Sequence, residues 1–216
     1  MDPTAIIVGH SFVKRYERWI GSHHVAAPMT PRAICPRVAE LNFLGQSGML
    51  SEQLHEGETV FQAAKHDIVI VDCASNDLAN DVSISETANN ILLFARRCIQ
   101  DGATIVFVLS VLPRARRITS TEQEFLTTTE AFNRHMKSIC VPETQISFHR
   151  ITGLTHIHET PTEKVPQPIN HWSEDGIHPS VQRIRGQKSG MEKYHQGVKT
   201  ALHRAVQRYR HYTANN

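Results

Sequence analysis

The sequence predicts an α/β fold in which a single five-stranded parallel sheet, in the order 2-1-3-4-5, is covered by helices on both faces. Two observations carry this. Apolar, β-branched runs alternate with stretches whose apolar residues recur at helical spacing, so the chain reads βαβαβαβαβα over its 216 residues. Two of those runs, residues 67–73 and 104–109, are apolar almost without interruption, as expected of central parallel strands covered on both sides rather than half-exposed ones.

Taken in order, Ala5 to Val8 form the first strand and Gly9-His10-Ser11 turns it into a helix. Phe12, Val13, Tyr16, Trp19 and Ile20 share one face of that helix, which runs to about Gly21. Residues 22–40, with Pro28, Pro31 and Pro36, read as an irregular connection. Leu41 to Leu44 is a short second strand, and after Gly45-Gln46-Ser47-Gly48 the hydroxyl of Ser51 reads as the cap of a helix through about Lys65. The third strand, 67–73, runs out into Ala74-Ser75-Asn76-Asp77-Leu78. Ser85 and Glu86 open a helix with Ala88, Ile91, Leu92, Ala95 and Ile99 on one face, closed by Gly102. The fourth strand ends at Pro113 and the basic loop Arg114-Ala115-Arg116-Arg117, and Thr121 with Glu124 suggests a capping box for a helix to about Cys140. Ile146 to His149 is a weaker fifth strand, and residues 152–174, rich in Thr, Pro and His, read as loop. A last helix over about 188–211 carries Tyr194, Val198, Ala201, Leu202, Ala205 and Tyr209 as its buried stripe.

Composition bounds the partners. With 40% hydrophobic and 20% charged residues the chain suits one globular domain over 1–216, with its core at about 5–209. The N-terminus lacks the basic start and long apolar stretch of a secretory signal and no run is long enough to span a bilayer, which points to an intracellular, cytoplasmic protein. Cys35, Cys73, Cys98 and Cys140 are widely spaced and fit free thiols in a reducing compartment, although their even number leaves disulfides open. Net charge is only +2, yet residues 181–216 hold eight Lys or Arg against the single acid Glu192. That tail reads either as the solvated face of a terminal helix or as a surface for nucleic-acid phosphates.

The chemistry gathers at the carboxyl ends of the strands. Ser11 follows strand one, Gly45 and Gly48 follow strand two, Asn76 follows strand three, and Asp175-Gly176-Ile177-His178-Pro179 lies between strand five and the last helix. Each has a plain reading: Ser11 as a helix cap, Asp175-Gly176 as a turn, Asn76-Asp77 as a cap or turn, and the glycines as backbone joints. Together they meet the needs of acyl transfer: a hydroxyl nucleophile, an imidazole to take its proton, a carboxylate to orient the imidazole, and donors for an oxyanion. His149, His156, His158 and His171 lack the Cys or carboxylate spacing that would complete a metal site.

In these blocks the chain resembles the SGNH (GDSL-type) hydrolases over nearly its whole length, from residue 5 to about 205. The family's Gly-Asp-Ser is here Gly9-His10-Ser11; its second-block Gly is best matched by Gly48; its Gly-x-Asn-Asp is Ala74-Ser75-Asn76-Asp77; its Asp-x-x-His is Asp175 to His178. The resemblance is closest to the animal branch whose blocks read Gly-Asp-Ser-Phe-Val and Asp-Gly-x-His. It implies a three-layer α/β/α sandwich and hydrolysis of small carboxylic esters without metal or cofactor. Ser11 would be the nucleophile, His178 the base and acid, and Asp175 its orienter, with the Ser11 N–H, Gly48 N–H and Asn76 amide as oxyanion hole. Two positions depart from the pattern. His10 stands for the family's Asp, and a neutral imidazole does not offer two acceptor oxygens. Ala74 stands for its Gly, which costs little at negative φ and much at positive φ. A module that keeps the shape and has lost catalysis, meeting nucleic acid through the basic last helix, is the alternative.

Overall fold

The computed structural model describes residues 1–22, 30–113, 122–152, 154, 159–160, 163–164, 171–183 and 187–216. Five parallel strands form the central sheet: β1 (Thr4–Gly9), β2 (Glu40–Gly45), β3 (Ile68–Asp72), β4 (Ile105–Leu109) and β5 (Ile146–His149), in the order β2-β1-β3-β4-β5. Register is continuous across the centre, with Val8 opposite both Leu44 and Val71. The period-two alternation of each strand then sorts its side chains between two cores. Ile7, Ile68 and Ile70 pack with Phe12, Tyr16, Tyr194 and Leu202 on one face. Ile6, Val8, Val69 and Val71 pack with Val60, Ile91, Phe94 and Phe132 on the other.

The first face is covered chiefly by α1 (Ser11–Ile20) and the last helix, Gly190–Asn215. Between β1 and β2 lies a four-residue helix, α2 (Pro31–Ile34), where an irregular connection was expected. A proline starts a helix readily because its first turn needs no N–H there, and Thr30 Oγ1 accepts from Ala33 N at 3.2 Å.

The second face carries α3 (Gly57–Ala64), the short α4 (Ser75–Ala79), α5 (Ile84–Gln100) and α6 (Glu122–Cys140). The helix expected from Ser51 to Lys65 is broken: a 3-10 helix spans Ser51–His55, and Glu56, extended at φ −55° and ψ 130°, separates it from α3. Ser51 is not a cap but a buried tie to Asp77. α5 is capped by Ser83, whose Oγ accepts from Glu86 N at 3.1 Å, rather than opened by Ser85 and Glu86. Thr121 and the Arg114–Arg117 loop lie outside the described residues.

Within 152–174, expected to be loop, β6 (Glu159–Thr160) and β7 (Glu163–Lys164) form a minimal antiparallel pair. The last helix, α7, starts at Gly190 under a capping box in which Ser189 N donates to Glu192 Oε2 at 2.8 Å and Glu192 N to Ser189 Oγ at 3.1 Å. Several cations of the basic tail are spent inside the chain: Arg208 donates to the Thr144 carbonyl at 2.7 Å, Arg210 to Asp2 at 3.0 Å, and Arg183 to Glu192. All four cysteines are buried free thiols. No helix among the described residues is long and apolar enough to cross a membrane.

Candidate active site

β1 delivers the first side chain. Gly9 ends the strand where an added Cβ would lie 1.9 Å from the Asp72 carbonyl oxygen, so β1 and β3 close on each other only because residue 9 has none. His10 then caps α1. Its backbone is extended, its Nδ1 accepts from Phe12 N at 3.3 Å, and Ser11 becomes the first residue of the helix. Accepting at Nδ1 puts the ring proton on Nε2, which faces Asp72 Oδ1 at 3.7 Å, too long for a hydrogen bond. Asp72 Oδ2 accepts from the hydroxyl of Tyr194 on α7. Thus the imidazole at position 10 performs the capping, and a carboxylate is supplied one strand away, at the end of β3.

This Asp72 is fully enclosed. Burial pushes its carboxyl up to about 6, against the hydrogen bond from Tyr194, which pulls it down. The Tyr194 hydroxyl is driven well above its ordinary value, by burial first and by the neighbouring Asp72 charge second. Sequence reasoning passed over both residues, since one reads as strand and the other as helix stripe.

Ser11 Oγ lies 2.7 Å from His178 Nε2, and His178 Nδ1 lies 2.7 Å from Asp175 Oδ2. With the carboxylate accepting at Nδ1–H, the Nε2 lone pair is left for the serine proton. The three residues are joined across 167 positions of chain, and only 12% of the His178 side chain is exposed. Phe12 braces the ring edge-on, with centroids 5.4 Å apart.

The Asp175–His178 segment is a turn rather than a helix start. Asp175 Oδ1 accepts from Ile177 N at 2.8 Å, His178 N at 3.0 Å and Ser173 Oγ at 2.6 Å, while Gly176 takes φ +65°. Partial burial pushes the Asp175 carboxyl up. The bonds from Ser173, the two amides and the His178 ring outweigh that effect and hold it well below the usual carboxylate range. Ser173 N to His178 O at 2.8 Å and Ser180 N to His171 O at 2.8 Å pin the two sides of this loop together. The loop is seated on the start of α7, where a Cβ on Gly190 would meet the His171 carbonyl oxygen at 1.9 Å.

Ser11, Gly48, Asn76 and His178 line one cleft of about 470 Å³. A larger depression, about 970 Å³ between α3 and α5, is lined by Phe61, Leu93 and Arg97 and lies away from Ser11 and His178. At the cleft, Gly48 takes φ +77°, a conformation that favours glycine, while a Cβ there would meet nothing. The Asn76 Nδ2 donates to the Met49 carbonyl at 3.0 Å, linking the two loops that bound the cleft. Asp77 links them again from beneath: its buried Oδ1 accepts from Ser51 N at 2.8 Å and Ser51 Oγ at 2.6 Å. This bond explains why Ser51 is drawn inward instead of capping a helix. Ala74, which precedes these residues, is left-handed at φ +88°. The substitution therefore sits in the costly case, worth roughly 1–2 kcal/mol of backbone strain for an L-residue.

Residues 7–182 match the GDSL-like Lipase/Acylhydrolase family. The chain belongs to this family. A search of curated proteins finds no match. Among solved structures, the GDSL-like lipase of Bacteroides thetaiotaomicron VPI-5482 is similar with a TM-score of 0.65 at 18% identity, over 94% of this chain and 87% of that one. The acetyl-xylooligosaccharide esterase of Geobacillus Stearmophilus, as a single-residue variant, gives 0.61 at 14% identity over 94% of each chain. A carbohydrate esterase family 3 protein of Talaromyces cellulolyticus gives 0.62 at 13% identity over 94% and 98%. At these identities the three likenesses speak for the fold. Esters are the substrates expected at the level of this GDSL-like family.

Proposed function

We propose that this GDSL-like protein hydrolyses carboxylic esters through an acyl-enzyme on Ser11. The observation that carries the reading is the chain of contacts from Ser11 Oγ to His178 Nε2 and from His178 Nδ1 to Asp175 Oδ2, each 2.7 Å, opening on a cleft. In the first half-reaction the Ser11 oxygen attacks the ester carbonyl carbon while His178 Nε2 takes its proton. The imidazolium so formed is stabilised by Asp175, whose depressed carboxyl stays ionised. The carbonyl oxygen, now an oxyanion, is met by the N–H of Ser11 in the first helical turn, the N–H of Gly48 and the Asn76 amide. Collapse expels the alcohol, which leaves with the proton from His178. Water then repeats the sequence on the acyl-serine, releasing the acid and restoring the hydroxyl.

The blocks Gly9-His10-Ser11-Phe12-Val13 and Asp175-Gly176-Ile177-His178 support a place nearest the animal branch of the family. The test is hydrolysis of 4-nitrophenyl acetate and butyrate by the wild type and Ser11→Ala, with organophosphonate labelling alongside. Turnover and stoichiometric labelling that both vanish in Ser11→Ala are expected. Folded wild-type protein that neither turns over ester nor takes the label, or labelling that survives Ser11→Ala, would overturn the reading.

A further inference from the structure

The cleft carries a charge imbalance that ester hydrolysis does not itself require. α1 opens with Ser11, and Lys14, Arg15 and Arg18 follow three, four and seven positions later, on the same helix face. All three line the cleft with Ser11, stepping along the helix axis from roughly 4.5 to 10.5 Å beyond it at 1.5 Å per residue. Among the described residues that line the cleft there is no Asp or Glu. Glu17, on the same helix, does not line the cleft, and the acid that contacts the row is Asp175, 3.4 Å from Arg15 Nη2, whose two oxygens already serve the His178 ring, two amides and Ser173.

General basicity of the protein does not account for this, since the chain is close to neutral at +2. Nor is the helix free to swing the row away. Gly45 brings the end of β2 against α1 backbone to backbone, where a Cβ would lie 2.4 Å from Lys14 N. Ala79, Asn80 and Ile177, which also line the cleft, carry no charge.

We propose that the ester acted on at this site carries an anionic group, carboxylate or phosphate, a few bonds from its carbonyl, held by Lys14 and Arg18 with Arg15 beside them. The inference rests on the hydrolytic reading of Ser11 given above. Guanidinium forks and a mobile ammonium recognise both anions, and a cation row starting beside the nucleophile orients such a substrate along the helix.

The experiment compares 4-nitrophenyl hydrogen glutarate with 4-nitrophenyl pentanoate, which match in chain length and differ in charge. Wild type is expected to favour the glutarate in kcat/KM by about tenfold at low salt, the size of two exposed charge contacts, with the ratio falling as salt is added. In Lys14→Gln/Arg18→Gln the ratio should drop to near one. The 4-nitrophenyl ester of 3-phosphonopropanoic acid, run in parallel, separates the anions: a stronger preference for it names a phosphate, a weaker one a carboxylate.

A wild-type ratio near one, or a ratio that the double variant leaves intact, overturns the proposal while leaving ester hydrolysis standing. Calorimetric binding of N-propylsuccinamic acid, an amide carrying the same charge, needs no turnover. Binding that weakens about tenfold in the double variant supports the anion site even in a protein that hydrolyses no ester, and binding that is absent or unaffected refutes it.

Discussion

Asp72→Asn tests the buried carboxylate beside the Gly9-His10-Ser11 turn. Asp72 is fully enclosed, accepts from Tyr194 Oη, and has its carboxyl raised from 3.8 to about 6. A raised carboxyl binds its proton more tightly in the folded chain than in the unfolded one. Its contribution to stability is therefore fully present below the unfolded value and is lost as pH climbs through about 6. At roughly 1.4 kcal/mol per unit the whole interval is worth about 3 kcal/mol, of which about 2 falls between about pH 4.5 and about pH 7.5. Asn keeps an acceptor for Tyr194 and cannot ionise. Urea unfolding of both proteins at those two pH values should show wild type losing about 2 kcal/mol relative to Asp72→Asn on going to the higher pH. Stability curves that stay parallel, or that diverge with wild type gaining at high pH, would refute the assignment of a raised carboxyl.

His10→Asp, which restores the family's residue, puts a second carboxylate beside Asp72 in a site where His10 is 1% exposed. It should destabilise by about 2–4 kcal/mol in thermal or urea unfolding, and His10→Asp/Asp72→Asn should recover most of the loss in a double-mutant cycle. Gly9→Ala drives a methyl into the Asp72 carbonyl and should cost more than about 3 kcal/mol or abolish folding, read by circular dichroism. Asp77→Ala removes the acceptor for Ser51 N and Oγ, so it should lower both melting temperature and kcat for 4-nitrophenyl acetate, with the stability loss at about 2–3 kcal/mol. Ala74→Gly relieves a left-handed alanine but gives up a buried methyl and frees the unfolded chain, so its melting temperature should stay within a few degrees of wild type.

What the sequence made legible was governed by local pattern. The uninterrupted apolar runs of β3 and β4 announce central strands, the alternation with helices implies a parallel sheet, and the expected order 2-1-3-4-5 is the one found. Ser11, Gly48, Asn76, Asp175 and His178 could be assigned to one rim from the loops that carry them; Ser11, Gly48, Asn76 and His178 line one cleft, and Asp175 is hydrogen-bonded to His178. What stayed hidden depends on contacts between distant segments. Asp72 and Tyr194 are 122 positions apart and meet only in the folded core. Ser51 looked like a cap because Ser often is one; a buried carboxylate 26 residues ahead competes for its hydroxyl and amide.

The separation of Ser11 from His178 along the chain bears on how their contact is assembled. Ser11 and its capping histidine sit at the start of α1, whereas the loop that carries His178 is seated by Gly190 and α7. Closing so long a span is entropically slow, and contacts of this range form late. Ester turnover should thus switch on with the last phase of refolding, after the sheet has already acquired its ellipticity.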